Sequence, residues 1–168
     1  MTRVLLTSFR PWLPHQASNA ADDLLALLAA QAPPPGLTLH YLRQLPVETA
    51  AASRLTLAAV QAQEPDWVLC CGMAESRSQL SLESNARQGD RQRFTRVNLP
   101  ALARQLPATQ ISHDAGRFVC EGLYFAVLDY LHQRASEQRG LFVHVPVLTA
   151  ANRAAILQEM QRLLSLIA

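Results

Sequence analysis

The sequence predicts an α/β fold: a single three-layer α/β/α sandwich over residues 1–168, built on a mixed, mostly parallel sheet. Three observations carry this prediction. Apolar runs of strand length alternate with stretches of helical period, the pattern of parallel crossovers that place helices on both sheet faces. Hydrophobic residues make up 49% of the chain and charged ones 17%, which excludes disorder as the main state. A chain of 168 residues can bury a core without disulfide or metal staples, and no internal repeat or linker divides it.

Each element follows from its residues. Residues 3–8 (RVLLTS) read as a short buried strand. After the turn-rich FRPWLPHQAS, the spacing of Leu24, Leu25, Leu27 and Leu28 predicts an amphipathic helix over 19–30, capped by Ser18 or Asn19. Pro33, Pro34, Pro35 and Gly36 break it, and residues 37–42 (LTLHYL) alternate as a strand. A second helix covers 49–63 and stops before Pro65. Residues 66–72 (DWVLCCG) form a buried strand ending in glycine, and 79–84 (QLSLES) alternate as another. The polar, arginine-rich stretch 85–96 reads as an exposed loop or hairpin. A strand over 108–113 (ATQISH) meets the turn Asp114-Ala115-Gly116, and the strongest helical pattern follows over 118–133. Residues 141–147 (LFVHVPV) are a last buried strand and 152–167 a closing helix. Functional groups in such folds gather where strands reach the carboxyl edge of the sheet. Three strand ends qualify: after Ser8, after Cys71 and around His144.

Composition removes several classes of function. All fifteen basic residues are arginines, so a Schiff-base lysine, a P-loop lysine and a lysine general base are all excluded. A formal charge of +2 is too small for a protein that binds nucleic acid by neutralising phosphates, and no nucleic-acid partner is expected. No stretch approaches the roughly 18 apolar residues of a membrane span. The N-terminal MTRVLLTSF is too short for a signal-peptide core, so a cytoplasmic chain without membrane association is expected. Cys70, Cys71 and Cys120 are odd in number and two are adjacent, which reads as free thiols rather than a disulfide framework. Metal binding is not expected either: Cys70-Cys71 is no CxxC pair, and HExxH and clustered carboxylates are missing.

Three residues stand out for chemistry. Cys120 lies near the start of the strongest helix, with Asp114 available as a cap; the helix dipole there predicts a lowered thiol pKa. His144 sits in an otherwise Val, Phe and Pro strand, where an imidazole costs free energy unless it is hydrogen-bonded. Glu83 falls late in an alternating segment, where packing does not demand a carboxylate. Taken singly, each is ordinarily structural: a packed thiol, a satisfied core histidine, a solvent-facing strand residue. Together they make a nucleophile, a base and an orienting carboxylate. Ser112-His113-Asp114 reads only as a turn, because a hydrolase triad is assembled in space from distant positions.

Several segments, in order from about Arg3 to Leu148, resemble the pyroglutamyl peptidase I family (pyrrolidone-carboxylate peptidases), cysteine peptidases with an α/β/α fold. SHDAGRFVCEG resembles the family's nucleophile motif and places the nucleophile at Cys120. LFVHVPVL resembles its histidine-valine-proline strand end and places the base at His144. CGMAESRSQLSLESNA resembles its glutamate motif and places the third member at Glu83. TSFRPWLPHQASNAA resembles the N-terminal loop, with Phe9, Pro11, Trp12 and Asn19 in register, and LPVETA resembles the opening of the second helix.

The resemblance implies hydrolysis of an N-terminal pyroglutamyl residue from a peptide through a thioester acyl-enzyme, with no cofactor or metal. It also implies that Phe9 and Trp12 flank the flat lactam ring, and that Asn19, Met73 and Arg77 belong to the substrate site. Family members form small oligomers, so a homo-oligomer is an expectation, left open by the shortened loop and tail. Some positions depart from the pattern: Met73 replaces a usual glutamine, Glu75 and Ser76 replace two glycines, and Arg87, Arg91, Arg93 and Arg96 crowd the loop after Glu83. A negative Glu75 beside the pocket would select a cationic or hydroxylated substrate. Two further readings therefore stand beside the first: the same three residues acting on a different N-acyl amide, and a non-catalytic homologue whose cleft binds a peptide or partner.

Overall fold

A computed structural model describes all of residues 1–168. Along the chain run β1 (Thr2–Phe9), α1 (Ala20–Ala29), β2 (Leu37–Leu45), α2 (Thr49–Gln63), β3 (Trp67–Met73), β4 (Leu80–Glu83) and β5 (Asn85–Gln88). They are followed by β6 (Arg91–Phe94), α3 (Leu99–Ala103), β7 (Thr109–Ser112), α4 (Val119–Gln133), β8 (Arg139–Val145) and α5 (Arg153–Leu166). Six strands form one sheet in the order β2-β1-β3-β8-β4-β7, and β5 and β6 make a separate hairpin. All neighbours in the sheet run parallel except β4 and β8, which are antiparallel. The sheet is thus mixed and mostly parallel, as expected.

The period of two along each central strand divides the core in half. Val4 and Leu6, Leu69 and Cys71, and Leu141 and Val143 face α1, α3 and α5. Leu5, Val68, Cys70 and Phe142 face α2 and α4 on the other side. Because both faces are covered, β3 and β8 read as nearly continuous apolar runs.

Helix starts are set by capping. Asn19 caps α1 by accepting from the Ala21 N–H, and both Glu48 carboxylate oxygens cap α2 through Ala50 and Ala51. The expected Asp114 cap of α4 is not made. Phe118 holds the N-cap position without a side-chain bond, and Asp114 instead accepts from Gly116 N–H to close the preceding turn. Gly122 lets the first turn of α4 approach α2, since a Cβ there would run into the Thr49 side chain.

Three boundaries differ from expectation by two residues or more, and one element is new. β8 begins at Arg139, two residues early, and ends at Val145 because Pro146 has no N–H to continue the ladder. β2 runs on to Leu45, which pairs with Phe9 beyond an irregularity in β1. The short helix α3 was not anticipated: five residues carry too little periodicity to register, although Asn98 caps it and Pro100 opens it. No helix is long and apolar enough to cross a membrane.

Candidate active site

The carboxyl ends of β3 and β8 are where the chemistry-bearing residues converge. Gly72 and His144 are direct partners across these strands, about 4.8 Å apart as neighbouring strands are, and so direct their substituents to one face. Cys120, second residue of α4, lies over that face. A Cβ built on Gly72 would stand 2.7 Å from the Cys120 Sγ and 2.8 Å from the Phe142 ring. Gly72 is therefore the gap that admits the sulfur beside the histidine strand. Cys120 and His144 line one cavity of about 320 Å³.

β4 supplies the carboxylate. Its antiparallel register sets Ser81 opposite His144 and Glu83 opposite Phe142. Glu83 Oε1 lies 2.7 Å from His144 Nδ1, with both residues buried. A carboxylate at that distance fixes Nδ1 as the donor and leaves Nε2 as the ring's free acceptor. Tyr124 donates its hydroxyl to the Glu83 backbone oxygen at 2.9 Å, and Arg77 Nη2 stands 3.6 Å from Glu83 Oε1. The same Arg77 nitrogen donates to Ser112 Oγ and to the Asp114 carbonyl, so it joins the carboxylate to the turn that leads into α4. Glu83 is thus fully buried rather than the solvent-facing strand residue it reads as in isolation.

The protonation state of Cys120 corrects the dipole argument. Burial pushes the thiol up to about 12, and the proximity of Cys70 and of the Glu83 carboxylate adds to the rise. Desolvation is the largest cause of that rise, opposite in direction to the effect of a helix terminus. The first-turn amides of α4 meet no capping side chain and remain available as donors beside the sulfur.

The other expected residues gather around the same cavity: Phe9, Trp12, Asn19, Met73 and Arg77 all line it. Trp12 packs its ring against Phe118, with centroids 5.7 Å apart. Glu75 does not line the cavity; its Oε1 accepts from Gln16 Nε2 at 2.8 Å and lies 2.9 Å from His15 Nε2. Gln16 in turn accepts from the Trp12 and Leu13 amides, so Glu75 braces the N-terminal loop instead of meeting a ligand. Met73 Sδ accepts from the Ala20 N–H at 3.3 Å. Phe118 and Gly72 were missed as site residues, although Phe118 stands two positions before Cys120 and Gly72 is the glycine that ends its strand. No group of three or more His, Cys, Asp and Glu side chains is placed to hold a metal ion. Ser84 Oγ and His113 Nδ1 make a separate 2.7 Å contact at the surface, outside the cavity.

Comparisons with known proteins bear on the family and the fold. The sequence model of the family described as pyroglutamyl peptidase matches residues 92–160. A pyrrolidone-carboxylate peptidase of Vibrio vulnificus (strain YJ016) is 30% identical over 88% of this chain and 80% of its own length. One of Brevibacillus brevis is 28% identical over the same shares. Among solved structures, pyroglutamyl peptidase I of Bacillus amyloliquefaciens superposes with a TM-score of 0.84 at 19% identity, covering 98% of this chain and 96% of that one. Pyrrolidone carboxyl peptidase of Thermococcus litoralis gives a TM-score of 0.84 at 18% identity, over 99% and 94%.

Proposed function

Because the chain belongs to the pyroglutamyl peptidase family of cysteine peptidases, we propose that it removes N-terminal pyroglutamyl residues from peptides, with Cys120 as nucleophile, His144 as general base and Glu83 as orienting carboxylate. The observation that carries this reading is the buried 2.7 Å contact between Glu83 and His144, whose ring shares one cavity with the Cys120 thiol.

The chemistry follows from the groups. His144 Nε2 accepts the Cys120 proton as sulfur attacks the pyroglutamyl carbonyl, forming the C–S bond and moving the carbonyl electron pair to oxygen. First-turn amides of α4 donate to that oxyanion. The C–N bond then breaks, and His144 returns its proton to the leaving amine. Water, deprotonated by the same imidazole, attacks the thioester and releases pyroglutamate and the thiol. Glu83 holds the tautomer throughout and stabilises the imidazolium. The rise of the Cys120 pKa makes the base essential to attack.

Phe9 and Trp12 give the lactam ring apolar walls. Asn19 spends its Oδ1 on the Ala21 N–H, which leaves its Nδ2 as a donor for the lactam carbonyl. Met73 favours a second reading, the same three residues acting on a different N-acyl amide. Its thioether lines the cavity, already accepts from Ala20 and offers no donor to a lactam.

Turnover of a fluorogenic pyroglutamyl amide beside acetyl, formyl and prolyl amides separates these readings. The pyroglutamyl compound should be cleaved. Cys120→Ser and His144→Ala should each lower kcat/KM at least about a thousandfold, and Glu83→Gln about a hundredfold or more. Cleavage of another amide alone would transfer the assignment to the second reading, and silence on the whole panel would overturn the hydrolase reading.

A further inference from the structure

A second cavity of about 390 Å³ adjoins the catalytic one, and Trp12, Val47, Arg117, Phe118 and Val119 line both. The Trp12–Phe118 pair is the partition between them, and it is exposed: 52% for Trp12 and 69% for Phe118. A substrate that begins with a lactam has nothing before its acyl group. Only its C-terminal side extends, and the leaving peptide must pass out of the catalytic cavity. An extended chain advances about 3.3 Å per residue, so one or two residues beyond the scissile bond reach the scale of the adjoining cavity.

The charges in this neighbourhood are unevenly committed. Arg43 is held by Asp22, and Arg91 and Arg93 by Asp129. The guanidinium groups of Arg87 and Arg117, both lining the second cavity, and of Arg10, lining the catalytic one, form no ion pair or side-chain hydrogen bond within the protein. Two carboxylates, Glu48 and Glu121, line the second cavity as well, and both accept from backbone amides. Glu48 holds the amides of Ala50 and Ala51, Glu121 accepts from the Arg87 amide at 3.1 Å, and Asp114 accepts from that of Gly116. An incoming carboxylate thus meets two guanidinium groups without hydrogen-bonded partners, beside a Glu48 whose two oxygens are both engaged and a Glu121 engaged through Oε1.

We propose that this second cavity receives the leaving peptide, and that Arg87 and Arg117 make it select an acidic residue immediately after the pyroglutamyl group. The inference rests on the pyroglutamyl peptidase reading and adds a specificity that the reading does not contain.

Three peptides test it: pyroglutamyl-Glu-Ala amide, pyroglutamyl-Ala-Ala amide and pyroglutamyl-Arg-Ala amide, compared by kcat/KM at low and high ionic strength. The acidic peptide should exceed the basic one by about 5- to 20-fold at low salt, the scale of one or two exposed charge pairs, and the ratio should shrink as salt rises. The double variant Arg87→Gln, Arg117→Gln should bring the ratio to about one, and Arg117→Glu should reverse it. Each ratio is taken within a single protein, so altered folding cancels. Equal rates in the wild type, or a ratio unchanged in the variants, would overturn the inference while cleavage of the alanine peptide upheld the reading beneath it. Should no pyroglutamyl peptide be cleaved, that reading fails, and binding of the three peptides to Cys120→Ala decides the inference alone. Tighter binding of the acidic peptide sustains it, and equal or undetectable binding overturns it.

Discussion

Burial holds the Cys120 thiol well above its ordinary pKa. Its position at a helix start could be seen in the sequence, and so could the dipole that favours thiolate. What could not be seen was the position of that sulfur over Gly72, on a strand far away in the chain, where desolvation raises its pKa. Alkylation measures the balance. Labelling of Cys120 by iodoacetamide, located by peptide mass spectrometry, should accelerate about tenfold per pH unit from 6 to 9 without levelling, since only thiolate reacts and the folded pKa lies above that window. A plateau below pH 8 would mean that the dipole prevails. Cys70 and Cys71 are fully buried and should label only on unfolding. Glu75 teaches a similar lesson: its place near the pocket could be read from the sequence, but its attachment to His15 and Gln16 depends on how the N-terminal loop folds back.

Among the elements, the link from β1 to α1 carries the aromatic and amide groups assigned to the substrate, and a buried network fixes its two ends. Asp22 accepts from Ser8 Oγ at 2.7 Å, from Arg43 Nε and Nη2, and from Gln44 Nε2. Burial alone would raise the Asp22 carboxyl, but the bonds from Arg43, Ser8 and Gln44 together hold it below its ordinary value. A carboxyl lowered by folding contributes stability that is present above its unfolded pKa, about 4, and that is lost as pH falls through the folded value. Asp22→Asn should therefore cost about 1–3 kcal/mol in denaturant unfolding at neutral pH, and its gap from wild type should close as pH falls from 5 towards 2. A gap constant with pH would show that the network acts by shape rather than charge. Helix and strand identities were legible wherever a long apolar pattern existed, as in α4 and β3. Ends were less so: β8 began two residues early, and α3 had no pattern to read.

At the scale of the whole molecule, the sheet order β2-β1-β3-β8-β4-β7 brings Glu83 against His144, beside the cavity that Cys120 also lines. Alternating apolar periods announced parallel crossovers, but nothing local announces that β8, late in the chain, inserts between β3 and β4. That insertion sets His144 between Gly72, beneath the sulfur, and Ser81, two residues from Glu83 on the same strand. The three candidate residues could be picked from sequence by motif, whereas the contact between Glu83 and His144 belongs to topology. The most direct test of the proposed function is the covalent intermediate. Rapidly quenched turnover of a pyroglutamyl amide, analysed by intact and peptide mass spectrometry, should find the Cys120 peptide heavier by one pyroglutamyl group, absent from Cys120→Ser and cleared by hydroxylamine. Turnover at full rate in Cys120→Ser, or acylation of any other residue, would contradict the account.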